Sequence, residues 1–172
     1  MKKSLGKLHS APRHLHHACE QHEVGAAMAT GQPREDWYAS WLSALLVIHS
    51  YLDASMPVVC RRTYSLGVDL QKMKCEVYTP PAAYTYIQSL KNINDELGGC
   101  YVLTGAGLMG GAIMKKRLIN YPTNHLEFAD RGLALEYLKS WRNREELADP
   151  AKNCFYALLK IMDEIRDKNV TV

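Results

Sequence analysis

Apolar residues recur at three- and four-residue spacing along most of this chain, and strict two-residue alternation is rare. Trp37, Trp41, Leu45, Ile48 and Leu52 form one such stripe; Phe155, Leu158, Leu159, Met162 and Ile165 form another. That period belongs to a helix burying one face, not to a strand. The expected fold class is therefore all-α, with the core formed between helices. The chain has 172 residues, 47% of them hydrophobic. That is enough to build one core, and too apolar a composition for disorder.

Punctuation places the helices. Ser10, with Pro12 just inside, reads as a start, and Gly31 as the stop. Pro33 opens a second helix with Glu35 and Asp36 in its favourable first turn, and Pro57 ends it. Residues 58–77 are less periodic and are expected to hold a short helix within a long connection. Thr79, Pro80 and Pro81 begin another helix, leading into Tyr84, Ile87 and Leu90. Asn94 is expected to cap the next segment. Beyond Pro122, a connection leads to Leu133, Tyr137 and Trp141 at helical spacing, and Asp149-Pro150 opens the last helix. No repeat, low-complexity tract or linker divides the chain. A single helical domain over 1–172 is expected, with 1–9 as a flexible start.

Several classes are disfavoured. A formal net charge of +3 is too small to imply nucleic acid. No apolar run is read as approaching the ~20 residues a membrane span needs. The basic start MKKSLGKLHSAPRHLHH has no apolar segment behind it, so no secretory signal is expected. The five cysteines are scattered, without CxxC or CxxCH. They fit free thiols in a reducing compartment, and a cytoplasmic protein is expected.

The stretch CYVLTGAGLMGGAIMKKRL, Cys100 to Leu118, carries Gly105, Gly107, Gly110 and Gly111. Gly105 to Gly110 is a literal GxGxxG, and Glu127 and Asp130 lie near the distance of a ribose-binding acid. The context rejects a dinucleotide loop, because the flanking chain reads as helices and supplies no parallel sheet. Within a helix, each glycine costs up to ~1 kcal/mol relative to alanine. A bare helix face admits either a planar cofactor or a closely packed second helix, and both readings stand. Near the start, HLHHACEQHE sets His16 and Glu20 four residues apart on one helix side. An imidazole can bind iron through one nitrogen while Glu20 engages the other. A solvated, histidine-rich helix start is the competing reading, and His14 and His17 are rivals for the ligand role.

These pieces, in order, resemble a divergent, short member of the heme oxygenase family. Leu15-His16-His17-Ala18-Cys19-Glu20 is similar to the family's proximal segment. Gly31-Gln32 and the acidic second helix start, then Tyr78-Thr79-Pro80, follow the family's spacing. Tyr101, Gly107-Leu108-Met109-Gly110-Gly111 and Lys115-Lys116 resemble its distal helix, and Ala151 to Ile165 its late core helix. The match covers roughly residues 8–166, is poor between Tyr51 and Tyr78, and the chain is short for the family.

The resemblance implies a heme-oxygenase-like helical bundle that binds haem as cofactor and substrate. It would open haem to biliverdin, carbon monoxide and iron, using O2 and electrons from a separate donor such as ferredoxin or a reductase. His16 is implied as the proximal iron ligand and Glu20 as its partner. Thr104, Gly107, Gly110 and Gly111 are implied on the distal side. Tyr101, Arg142, Arg144 and Arg13 are implied near the propionates; for Arg142, a solvated helix end is the competing reading. No nucleic acid and no membrane partner is expected, and a monomer or weak dimer is. Many family members carry a distal aspartate where this chain has Gly107. A haem-binding or interaction protein that does not turn haem over is therefore the alternative.

Overall fold

The computed structural model describes residues 12–168. The expected flexible stretch 1–9 and the Ser10 helix start lie outside the described residues. In chain order the helices are α1 (Arg13–Gln21), α2 (Glu23–Thr30), α3 (Glu35–Leu52), α4 (Thr63–Gln71), α5 (Pro81–Ser89) and α6 (Ile93–Gly105). Then come a π-helical turn (Ala106–Gly110), α7 (Gly111–Arg117), α8 (Arg131–Arg142) and α9 (Ala148–Asp167). No strand occurs among the described residues, so the chain is all-α as its periodicity implied.

The centre of the core is α9 laid along α6. Ala151, Cys154, Phe155, Leu158, Ile161, Met162 and Ile165 bury the inner face of α9. Gly98 makes the approach possible: a Cβ there would lie 2.3 Å from the Pro150 Cβ and 2.8 Å from the Ala151 nitrogen. Helix α3 closes a second side, with Tyr38, Leu42, Ile48 and Leu52 fully buried. Helix α5 lies on α9 and α3, α8 on α6, and α1 on α9.

Four local expectations are corrected. The first helix does not run unbroken to Gly31. His22 adopts an extended conformation, and its Nδ1 accepts from the Val24 N–H, so it caps α2 as a new helix. Its Nε2 also meets Asp163 Oδ1 at 2.8 Å, which fixes the break against α9. Asn92, not Asn94, caps α6, its side chain accepting from Asp95 N. On α5 and α8 the expected stripes face inward only in part: Ile87 and Leu90 pack on the core and Trp141 is buried. Ala82, Ala83 and Tyr86 are buried on α5, and Ala134, Leu138 and Trp141 on α8, while Tyr84, Leu133 and Tyr137 are exposed. Small residues let these helices sit close to their supports, and spacing alone did not say which of two overlapping stripes faced inward. Finally, the 25-residue run Ile93–Arg117 contains a window with a mean hydropathy of 1.4 and is, by length and composition only, long and apolar enough to cross a membrane. Half of that window is buried against other helices, as a core helix would be.

Gly31 ends α2 in the left-handed region (φ 81°), and a Cβ there would lie 2.4 Å from the Arg117 carbonyl oxygen. Both the backbone conformation and the space require glycine. Gly31→Ala is expected to destabilise the fold by more than about 1 kcal/mol, read as a lower urea midpoint with an unchanged slope.

Candidate functional site

Helix α6 does not continue straight into α7. The π turn at Ala106–Gly110 inserts a wider loop of backbone, which re-aims the side chains that follow. At the bend, the Leu108 carbonyl accepts a hydrogen bond from Arg131 Nη2 at 2.7 Å, so the first residue of α8 holds the turn. Sequence reading did not single out Arg131, and only its position next to the bend reveals the role.

The four glycines of this region do different things. A Cβ on Gly111 would lie 2.9 Å from Leu126 Cδ2, and one on Gly107 would lie 3.2 Å from the Phe128 ring. Gly105 sits 3.5 Å, by the same measure, from Leu138. These positions face neighbouring protein, so there the packing reading holds. Gly110 is the contrast: a Cβ there meets no atom within 4 Å. Ala106, Met109 and Ile113 near it are also exposed, Met109 at 57% and Ile113 at 56%. The outer side of the bend is thus an apolar strip with no side chain at its middle.

On α1, Leu15 and Cys19 are buried, and Arg13, His14, His16, His17 and Glu20 are exposed. The His16 ring lies edge-on to Phe155 of α9, with centroids 5.9 Å apart and planes at 76°. His16 Nε2 is 3.4 Å from Glu20 Oε1, and His17 Nδ1 is 3.9 Å from Glu20 Oε2. Offering Nε2 outward while Nδ1 turns to Glu20 takes only a ring flip of a side chain that is 56% exposed. His22 is excluded as a ligand because both of its ring nitrogens are engaged. Cys19 is excluded as a thiolate: burial first, then the nearby Glu20 charge, push its thiol up to about 12.

The histidine helix and the bare strip share their supports. Helix α9 carries both α1 and α6, while α2 continues α1 onto α7, where Arg117 Nη1 donates to the Ala29 carbonyl at 2.8 Å. Of the other expected site residues, Arg13 is exposed, and Tyr101 and Thr104 are buried. Arg144 is engaged by Glu146 at 2.8 Å and by Asn94 at 3.2 Å. Arg142 differs: its Nε is buried without a hydrogen-bond partner, leaving a donor suited to a carboxylate.

A second feature adjoins the bend. A cavity of about 100 Å³ is lined by His49, Arg62, Thr104, Gly107 and His125 among apolar side chains. His49 Nδ1 lies 2.9 Å from Asp53 Oδ1, and His125 Nδ1 lies 2.7 Å from Asp69 Oδ2. Asp53 also accepts from Arg62 N, Thr63 N and the Thr63 hydroxyl. Burial alone would raise the Asp53 carboxyl, but the hydrogen bonds from His49 and Thr63 outweigh it and hold the group below its ordinary value. Burial lowers the His49 imidazole despite Asp53, so it is neutral with its proton on Nδ1.

No family model matches this sequence, and no curated protein matches it. Solved structures do. Heme oxygenase-1 from the cyanobacterium Synechocystis sp. PCC6803, solved in complex with heme, superposes with a TM-score of 0.76 at 18% identity. That match covers 95% of this chain and 91% of the other. Heme oxygenase from Leptospira interrogans superposes with a TM-score of 0.69 at 18% identity, covering 93% of this chain and 97% of the other. The chain has the heme oxygenase fold over nearly its whole length.

The buried pair predicts an acid response. The folded chain binds the His49 proton at lower pH than the unfolded chain, whose histidine titrates near 6.5. Below that value the unfolded chain holds more protons, so stability falls as pH falls. Asp53, held below 3.8, adds stability that is complete above that value and is lost as pH falls through the folded value. The melting temperature of the wild type is expected to drop from pH 7 to pH 5. His49→Gln is expected to flatten that part of the profile.

Proposed function

We propose that this chain binds haem between α1 and the outer strip of the bend, and opens it to biliverdin, carbon monoxide and iron. The observation that carries the reading is Gly110. It is the bend glycine with open space at its Cβ position, and it lies among exposed apolar residues at the π turn between α6 and α7. A helix gains nothing from a glycine in open space, so the absent side chain points to something that lies flat against the backbone.

The donor set fits such a group. His16 would hold the iron, with Glu20 orienting the ring. Met109, Gly110 and Ile113 would form the apolar wall against the porphyrin face. The unspent Arg142 donor fits a propionate, with Arg13, Lys139 and Tyr101 as further candidates. Arg144 would have to leave Glu146 to serve the same end. Bound haem supplies the redox chemistry, using O2 and electrons from an external donor such as ferredoxin or a reductase, and its ring is the substrate. The protein's part is to fix the ring plane, crowd the wall so that one edge is presented, and keep bulk water from that face.

The second reading, a haem binder that does not turn haem over, rests on Gly107 standing where the resemblance puts a carboxylate. Haem, a reductant and O2 separate the two. Loss of the Soret band with growth of bilin absorbance supports the oxygenase, and a stable Soret band supports the binder. No saturable spectral change on adding haem overturns both.

Two variants test the site. His16→Ala is expected to shift the ferric haem spectrum, while His17→Ala and His22→Ala leave it unchanged; a shift with His17→Ala alone would move the ligand by one position. A Cβ at Gly110 meets no atom within 4 Å, so the circular dichroism of Gly110→Leu should match wild type while haem affinity falls at least tenfold. Unchanged affinity would contradict the close-approach argument.

A further inference from the structure

The bend ends in a glycine doublet, Gly110 and Gly111, and the two are held differently. A Cβ on Gly111 would lie 2.9 Å from Leu126 Cδ2, whereas one on Gly110 meets no atom within 4 Å. The π turn decides which glycine goes where. It spends one residue more than an α-helical turn, so every residue beyond it is displaced by one position around the helix. Were α6 to continue as an α-helix, each residue past the turn would take the place of its successor. Gly110 would then face Leu126, and Met109 would stand in the open place. The doublet therefore admits two registers with a glycine at Leu126 in either. In one the strip is bare at its middle; in the other the Met109 side chain covers it.

Two contacts favour the observed register. Arg131 Nη2 donates to the Leu108 carbonyl at 2.7 Å. A regular α-helix would spend that carbonyl on the Ala112 N–H. Lys115 Nζ lies 2.9 Å from Glu127 Oε1; in the α-helical register Met114 would stand where Lys115 does, and the ion pair would be lost. The helix that carries Arg131 does not itself call for it. Arg131 opens α8 behind the Asp130 cap, where a cation opposes the helix dipole. The Leu108 side chain is fully buried. With its side chain in the core and its carbonyl on Arg131, Leu108 is the fixed point about which the register is set.

We propose that Arg131, assisted by the Lys115–Glu127 ion pair, is a positioning residue that selects the open register of a two-register bend, and so decides whether a flat ring can reach the backbone at Gly110. The inference rests on the haem reading above and concerns the chain before haem arrives. The Arg131 hydrogen bond is spent on protein, so the guanidinium acts through Leu108 and not on the ring. Haem then adds to the same preference, because it can lie only against the register that leaves the strip bare.

The first test uses the protein without haem. Nuclear Overhauser contacts are expected between the Leu126 methyls and Gly111 in the wild type. In Arg131→Met, which keeps the length of the side chain but not its donors, contacts from Leu126 to Gly110 are expected to grow at their expense. Lys115→Met, at an exposed site, is expected to move the same way by a smaller amount, and it carries the test should Arg131→Met not fold. Adding Gly110→Ala to Arg131→Met is expected to return Leu126 to Gly111, since the new Cβ has open space in the observed register and presses on Leu126 in the other. Wild-type Leu126 contacts in both single variants overturn the proposal.

The second test titrates haem into the same proteins. Arg131→Met is expected to lower haem affinity about tenfold, the worth of one charge-assisted hydrogen bond in the balance between registers, and Arg131→Lys to restore part of it. Lower affinity with unchanged Leu126 contacts means that Arg131 meets haem directly, and overturns the proposal. Unchanged affinity in the face of a shifted register overturns it too. Failure of the wild type to bind haem instead removes the functional reading, while the register result stands by itself.

Discussion

Backbone contact between α6 and α9 is the constraint on which the other elements depend. Gly98 lies so close to Pro150 and Ala151 that no side chain fits between them. That contact clamps the first half of the run Ile93–Arg117. Leu126 and Phe128, pressed on Gly111 and Gly107, hold the second half to a different neighbour. A straight helix cannot satisfy both, and the π turn at Ala106–Gly110 absorbs the difference. Arg131 then takes the carbonyl of Leu108 that the turn leaves available.

The bend borders two distinct surroundings. Its outer side is bare and apolar around Gly110, suited to a flat ring. It also borders a largely apolar cavity, whose lining His49, His125, Arg62 and Thr104 share with aliphatic and aromatic side chains. Each imidazole is tied at Nδ1 to a buried or nearly buried carboxylate, and Asp69 is fully enclosed. Burying such pairs is expensive, and breaking one by removing a partner typically costs about 3–5 kcal/mol. Apolar packing would fill the same space at lower cost, so the polar groups are best understood through what they hold.

Much of this was legible along the chain. The stripe on α9, the stop at Gly31 and the short helix inside 58–77 all follow from period and punctuation. Of the glycine run, the contrast between cofactor and packing was posed, but its answer differs from residue to residue. Gly105, Gly107 and Gly111 serve neighbours that lie 15 or more positions on in the chain, and a one-dimensional reading has no access to those neighbours. The break at His22 was missed because a histidine is a weak cap signal; here Asp163, from the other end of the chain, completes it.

What the amino-acid order determined alone is the helical class, most helix limits and the segments that carry a histidine–glutamate pair and a bare helix face, because those depend on residues within a turn or two of each other. Which glycine faces open space, which arginine keeps an unspent donor, and that Asp53 and Asp69 reach the bend through His49 and His125 were decided only by tertiary structure. Those relations join residues far apart in the chain, and they exist only once the core has brought the helices into contact.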